Sequence, residues 1–163
     1  MINLLIKRLE KITNFLGKLS SFLIILLIAL VSFSVILRYL FAIGFTWLQD
    51  LYIWIHACFI LLGIGFTLNK DQHVRIDIIY RNLKTQKKRL VNFLGSIFFG
   101  LPLCYLIIIK GYDFFLRSYQ ISENSKETGG LPNVFILKFF IFFMGILLLC
   151  ELINRILKFF KND

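Results

Sequence analysis

Three stretches of this chain run for the thickness of a membrane without one Asp, Glu, Lys or Arg: Leu19 to Leu37, Leu51 to Asn69 and Leu90 to Ile109, at 19, 19 and 20 residues. A hydrocarbon core of about 30 Å takes roughly 20 helical residues at about 1.5 Å rise each, so each stretch is long enough to span it. A fourth stretch, Leu131 to Cys150, is broken only by Lys138. That lysine sits near the start of the stretch, where its stem can carry the ammonium to the nearer interface. The expected fold is all-α and integral to a membrane, with four transmembrane helices, an N-terminal amphipathic interfacial helix and both termini cytoplasmic.

The 163 residues then divide, as one membrane domain, into an interfacial helix 1–18, span 1 at 19–41, span 2 at 51–69, a basic connection 70–89, span 3 with an extension at 90–118, a loop 119–130, span 4 at 131–153 and a tail 154–163. Charge gives the orientation. Of the 19 Lys and Arg, 14 fall in the leader, the second connection and the tail, and 5 in the remaining connections and their flanks. Positive flanks are retained on the cytoplasmic side, which places both termini inside. The net +10 of the chain would suggest a nucleic-acid partner in a soluble protein. Split into +9 inside and +1 outside, it reads as a topology and lipid signal, with no nucleic acid implied.

A signal peptide is excluded for the first span because its polar leader is too long, its apolar run exceeds a 7–15-residue core and no Ala-x-Ala-like site follows. Leu5, Leu9, Ile12, Leu16 and Leu19 recur in the leader at helical spacing, with Lys7, Lys11, Asn14 and Lys18 on another face, the pattern of a helix lying on anionic lipid. In the second connection Ile76, Ile79, Tyr80 and Leu83 suggest a short surface helix, while Lys84, Lys87, Lys88 and Arg89 add headgroup contacts. A strand on Val74, Ile76 and Ile78 would leave its edges unpaired. Asp113 and Arg117, four apart, extend the third span beyond the bilayer. Pro132 suits the first turn of the fourth helix.

The residues that carry chemistry are sparse. Cys58, Cys104 and Cys150 each lie in a different span with no CxxC pair, so they read as small packing residues. His56 and His73 are the only histidines, too few for a multi-haem site, and no Walker, GxSxG or HExxH pattern occurs. No metal site, cofactor or catalytic group is expected. No acid or base sits mid-span except His56, whose expected use is a hydrogen bond between helices, and Glu151 is expected to pair with Arg155 four residues on. Ala29 with Ser32, Gly63 with Gly65, and Ser96 with Gly100 form small patches where helix backbones can approach.

The first span ends in Arg38-Tyr39-Leu40-Phe41, followed by Trp47 and by Asp50 opening the second span, which runs through Gly63 and Gly65 into His73-Val74-Arg75-Ile76-Asp77. In this order, with a basic connection next and Leu131-Pro132 before the last span, the set resembles the small membrane subunit (DctQ-type) of tripartite ATP-independent periplasmic (TRAP) transporters. Asp50 stands where that family usually has Glu, Gln49 where a second acid is common, and Phe45-Thr46 where a proline often precedes the tryptophan. The resemblance implies a bacterial inner-membrane scaffold beside a large elevator-type subunit. That subunit would carry sodium and an organic acid handed over by a periplasmic binding protein. It further implies that Arg38 and Asp50 pair or contact the large subunit, and that Trp47, His73 and Asp77 hold structural or partner positions, with Asp77 against Arg81. An autonomous four-span exporter or channel, or a membrane assembly factor, is the competing reading.

Overall fold

The computed structural model describes residues 2–72, 80 and 82–161. Among these the chain forms four helices and no strand: α1 (Ile2–Phe41), α2 (Thr46–Asn69), α3 (Thr85–Gln120) and α4 (Phe135–Lys161), each long and apolar enough to cross a membrane. Successive helices run in opposite directions, so the start of α1, the end of α2, the start of α3 and the end of α4 share one end of the bundle, called here the terminal end. The helices pair as two hairpins, α1 with α2 and α3 with α4, and α4 joins the hairpins by packing against α2 and α1 as well. The core is correspondingly small: Cys104 of α3 and Leu148 and Leu152 of α4, with Ile64 and Leu68 of α2 and Met144 packed around them.

The expected break between an interfacial leader and span 1 is absent. The two form one 40-residue helix of about 60 Å, twice the hydrocarbon thickness. No proline or turn interrupts it, and its packed face is Ile6, Thr13, Gly17 and Ser20, which meet the other helices. Gly17 lies under the ring of Phe66, and Ser20 Oγ donates to the carbonyl of Phe59 at 2.8 Å. Leu5, Ile12 and Leu19 of the anticipated lipid stripe stay exposed on the other side.

The connections are also shorter than the charge pattern suggests. α2 starts at Thr46 rather than 51, leaving only residues 42–45 between the first two helices, with Ala42 at φ +55°. α2 and α3 end in the same turn: Asp71 N–H donates to Leu68 and Gln72 N–H to Thr67, and likewise Ser122 to Tyr119 and Glu123 to Ser118. In each the left-handed residue is the one usually filled by glycine, here Asp71 (φ +56°) and Ser122 (φ +47°). Pro132 lies before α4, not in its first turn, because Asn133 at φ +64° turns the chain between them and the helix begins at Phe135. The surface helix expected on Ile76 to Leu83 falls mostly outside the described residues, as do His73, Asp77 and Arg81.

α3 reaches Gln120 as the extension implied, although no ion pair joins Asp113 to Arg117 among the described residues. It contains one unanticipated feature, a π-helical turn at Ser96–Gly100. Pro102 explains it: the ring has no N–H for the carbonyl of Phe98 and crowds that turn, and one wide turn just upstream relieves both problems.

Small residues set the helix spacing, with one correction to the expected set. Gly63 faces Ser20, Gly65 faces Leu147, Gly100 faces Leu152 and Ser96 is buried, all as packing sites. Ala29 and Ser32 are exposed instead, on a face of α1 that no other helix among the described residues covers. The glycines nearest a neighbouring backbone are Gly111 and Gly145, where a Cβ would stand 3.1 Å from Cα of Phe142 and 3.3 Å from the amide nitrogen of Ile108. Gly111→Ala should therefore lower the melting temperature of the purified chain, by overpacking worth about 1–3 kcal/mol. Gly95→Ala, with nothing within 4 Å, should leave it equal or higher. Equal melting of the two variants would remove this approach as a source of stability.

Candidate functional site

The last turns of α4 carry two of the three most deeply buried polar residues of the described chain, Glu151 at 1% exposure and Asn154 at 0%, the third being Ser118 of α3 at 1%. Three residues apart, Glu151 and Asn154 share a helix face that turns toward α1 and α2. Glu151 Oε1 accepts from Asn69 Nδ2 at 2.9 Å and from Asn154 Nδ2 at 3.2 Å, and Oε2 accepts from Thr13 Oγ1 at 3.4 Å. Its donors are thus neutral and come from three helices. No donor among the described residues reaches Asn154 Oδ1.

The anticipated Glu151–Arg155 pair does not form. Arg155 Nη2 donates to the carbonyl of Leu68 and to Asp71 Oδ1, the latter at 3.1 Å, and so places a cation on the C-terminus of α2 where the helix dipole favours one. Lys158 pairs with Glu10 of α1 at 2.7 Å. Arg89, the last of the expected headgroup cations, donates to the carbonyl of Phe159 at 3.0 Å and lies over that ring. Between α2, α3 and α4 these side chains border a cleft of about 240 Å³ whose walls include Asn69, Asp71, Arg89, Glu151, Arg155 and Lys158. Lys11, Lys18, Lys84, Lys87 and Lys88 are not among its lining residues, and Lys7 lies near the far end of α1 from span 1.

At the opposite end the polar groups organise a loop. Asp50, in the second turn of α2, accepts the amide of Leu131 at 2.8 Å, and its carboxylate lies beside Gly130. Lys138 does not simply reach outward: it pairs with Glu123 and stands over the Phe114 ring, 3.9 Å from its centre. The Glu123 carbonyl takes the amide of Val134 at 2.8 Å, which closes the segment from Ile121 to Val134 on itself. The Lys138 ammonium, hydrogen-bonded to Glu123, holds that carboxyl below its usual value of 4.5. Asp50 and Arg38 do not meet, and Arg38 is exposed with no ion pair among the described residues. Trp47 is 45% exposed beside Phe45. His56 is exposed on α2, its ring near Phe59, and makes no hydrogen bond to another helix among the described residues.

These groups do not assemble a catalytic centre. Cys58, Cys104 and Cys150 are free thiols, and no cluster of three or more His, Cys, Asp or Glu suited to a metal occurs among the described residues. What the geometry provides is a helix assembly pinned by buried polar contacts at one end, a latched loop at the other, and long apolar faces between. Sequence reasoning located Glu151 but missed its partners Thr13 and Asn69, which lie 138 and 82 residues away in the chain. The one available signal was an amide at the very end of an apolar span.

A family model described as tripartite ATP-independent periplasmic transporters, DctQ component, matches residues 27–162. It takes in Asn69, Glu151 and Asn154 but begins beyond Thr13. No curated protein and no solved structure matches the chain.

Glu151→Ala leaves Asn69, Asn154 and Thr13 without their acceptor in a buried site, and should cost about 2–5 kcal/mol of stability. Lys158→Ala removes only a half-exposed pair and should cost under about 1 kcal/mol. Thermal melts that rank the two variants the other way would refute the pinning role. The Glu123 latch has a pH signature. Because its folded pKa is depressed, its stabilisation is present above the ordinary carboxylate value and disappears as pH falls through the lowered one. Protection of the Val134 amide, read as its hydrogen exchange relative to the intrinsic rate, should fall on acidification below about pH 4.5, and Lys138→Met should abolish that dependence; an unchanged profile in Lys138→Met contradicts it.

Proposed function

As a member of the DctQ family of tripartite ATP-independent periplasmic transporters, this chain is a small membrane component of a transporter and not an enzyme, and we propose that it serves as a static scaffold and anchor for the large subunit. In this reading the large, elevator-type subunit moves sodium and an organic acid delivered by a periplasmic binding protein, and sodium is bound there, with no cofactor in this chain. The supporting observation is how little of the four helices their own bundle uses. Only 6% of the most apolar stretch of α1 is buried, against 28% for α4.

A lone bundle of this kind leaves apolar faces that either lipid or another membrane chain covers. Three features of the outward faces favour a protein partner over part of that surface. Ala29 and Ser32 offer a place for close backbone approach, His56 stands mid-helix without a hydrogen bond, and Arg38 stands exposed at the end of α1. Polar groups within a bilayer are normally satisfied by neighbours, and the neighbour proposed here is the large subunit. Trp47 and Asp50 support that contact indirectly, the first as an interfacial aromatic and the second by holding the loop next to it. His73 and Asp77 are assigned structural or partner positions within the basic connection.

Orientation follows the Lys and Arg asymmetry, with both termini in the cytoplasm of a bacterial inner-membrane protein. Lys7, Lys11, Lys18, Lys84, Lys87, Lys88 and Arg89 then face anionic headgroups. Arg38→Ala should reduce co-purification of the large subunit several-fold, and deleting the chain should abolish sodium-driven uptake. Wild-type yield with Arg38→Ala would remove that residue from the contact. Solute flux through proteoliposomes containing this chain alone would overturn the scaffold role itself.

A further inference from the structure

We propose that the cleft between α2, α3 and α4 at the terminal end seats the phosphodiester headgroup of one phospholipid, with Arg89, Arg155 and Lys158 turned to the phosphate. The proposal rests on membrane insertion and on no part of the transport reading.

Depth is the first argument. The cleft lies where α2 ends at Asn69, where the charged first turn of α3 gives way to its apolar run, and where α4 passes from Leu152 to Lys158. With the apolar stretches in hydrocarbon, that level is the headgroup layer. Charge is the second. Three cations line it beside two carboxylates, Asp71 and Glu151, while Glu10 pairs with Lys158 from outside the lining, so a phosphodiester monoanion meets the cations with less repulsion than a dianion would. A dicarboxylate or free phosphate would bring a second negative charge against Asp71 and Glu151.

Donor geometry supports the same ligand. Both protein bonds of Arg155 run through Nη2, which leaves Nη1 and Nε to bind an oxyanion, and Lys158 keeps donors beyond its bond to Glu10. Size restricts what enters. At about 240 Å³ the space is smaller than the roughly 300–1,000 Å³ of a site that encloses a whole small molecule. A headgroup fits while its chains remain outside. One wall is aromatic, Phe93 stacked on Phe159 with ring centres 4.3 Å apart, and gives the glycerol an apolar surface.

The test adds phosphatidylglycerol to the delipidated full chain in detergent and counts retained lipid by native mass spectrometry. The expected result is one tightly held lipid on the wild-type chain, binding at least fivefold weaker in Arg89→Gln/Lys158→Gln, recovery with Lys158→Arg, and no displacement by millimolar inorganic phosphate. Equal retention by the double variant, or displacement by inorganic phosphate, overturns the proposal. A photoreactive phosphatidylglycerol on the unmodified chain gives a second readout that needs no variant. Adducts concentrated in the peptides holding Phe93 and Phe159 support the site, whereas adducts spread evenly over the outward helix faces overturn it.

Discussion

A carboxylate buried among helices that meet lipid on their outer side costs free energy unless hydrogen-bond donors of the helices themselves satisfy it. Glu151 is the point where this chain meets that requirement. Its three donors sit on α1, α2 and α4, so the bonds can form only when those helices share one register. The leader is thereby held in the bundle as part of α1. The end of α2 is held against α4, where Arg155 covers its carbonyls, and the cleft follows from that placement. Apolar contact alone would permit sliding, since lipid and helix faces are nearly equivalent surroundings for Leu or Ile.

The two ends of the bundle solve the same problem differently. At the terminal end, polar groups bond across helices far apart in sequence. At the other, Asp50, Lys138 and Glu123 organise a loop from which the next helix starts, and the helices below it need no polar pin because Gly111 and Gly145 bring α3 and α4 into direct contact. The faces that remain, including those of Ala29, Ser32 and His56, are left uncovered by the other helices of the described chain.

The spans were legible because the absence of charge over 19 or 20 residues is a property of the sequence alone. Their ends were not. Ala42, Asp71 and Ser122 take the left-handed conformation where a glycine would have announced a helix stop, Asn133 takes it just ahead of a helix start, and each is held there by turns visible only in three dimensions. Gly63, Gly65, Ser96 and Gly100 cluster and so mark a packing face in the sequence itself, whereas Gly111 and Gly145 stand singly and form no local pattern. The same limit explains Glu151. Spacing of four pointed to Arg155, but the carboxylate turns to donors supplied by tertiary structure, and the guanidinium to the end of another helix.

The wide turn at Ser96–Gly100 has a consequence for the terminal end. One residue too many in a helix advances its azimuth by about 100°, so the turn decides which side of Thr85–Gly95 faces α4. Arg89, Asn92 and Phe93 border the cleft in that phase. Pro102, some ten residues away and well inside the apolar run, acts as the indexing tooth of α3: it shifts the phase of everything upstream, and with it the charge that the helix presents at the membrane surface.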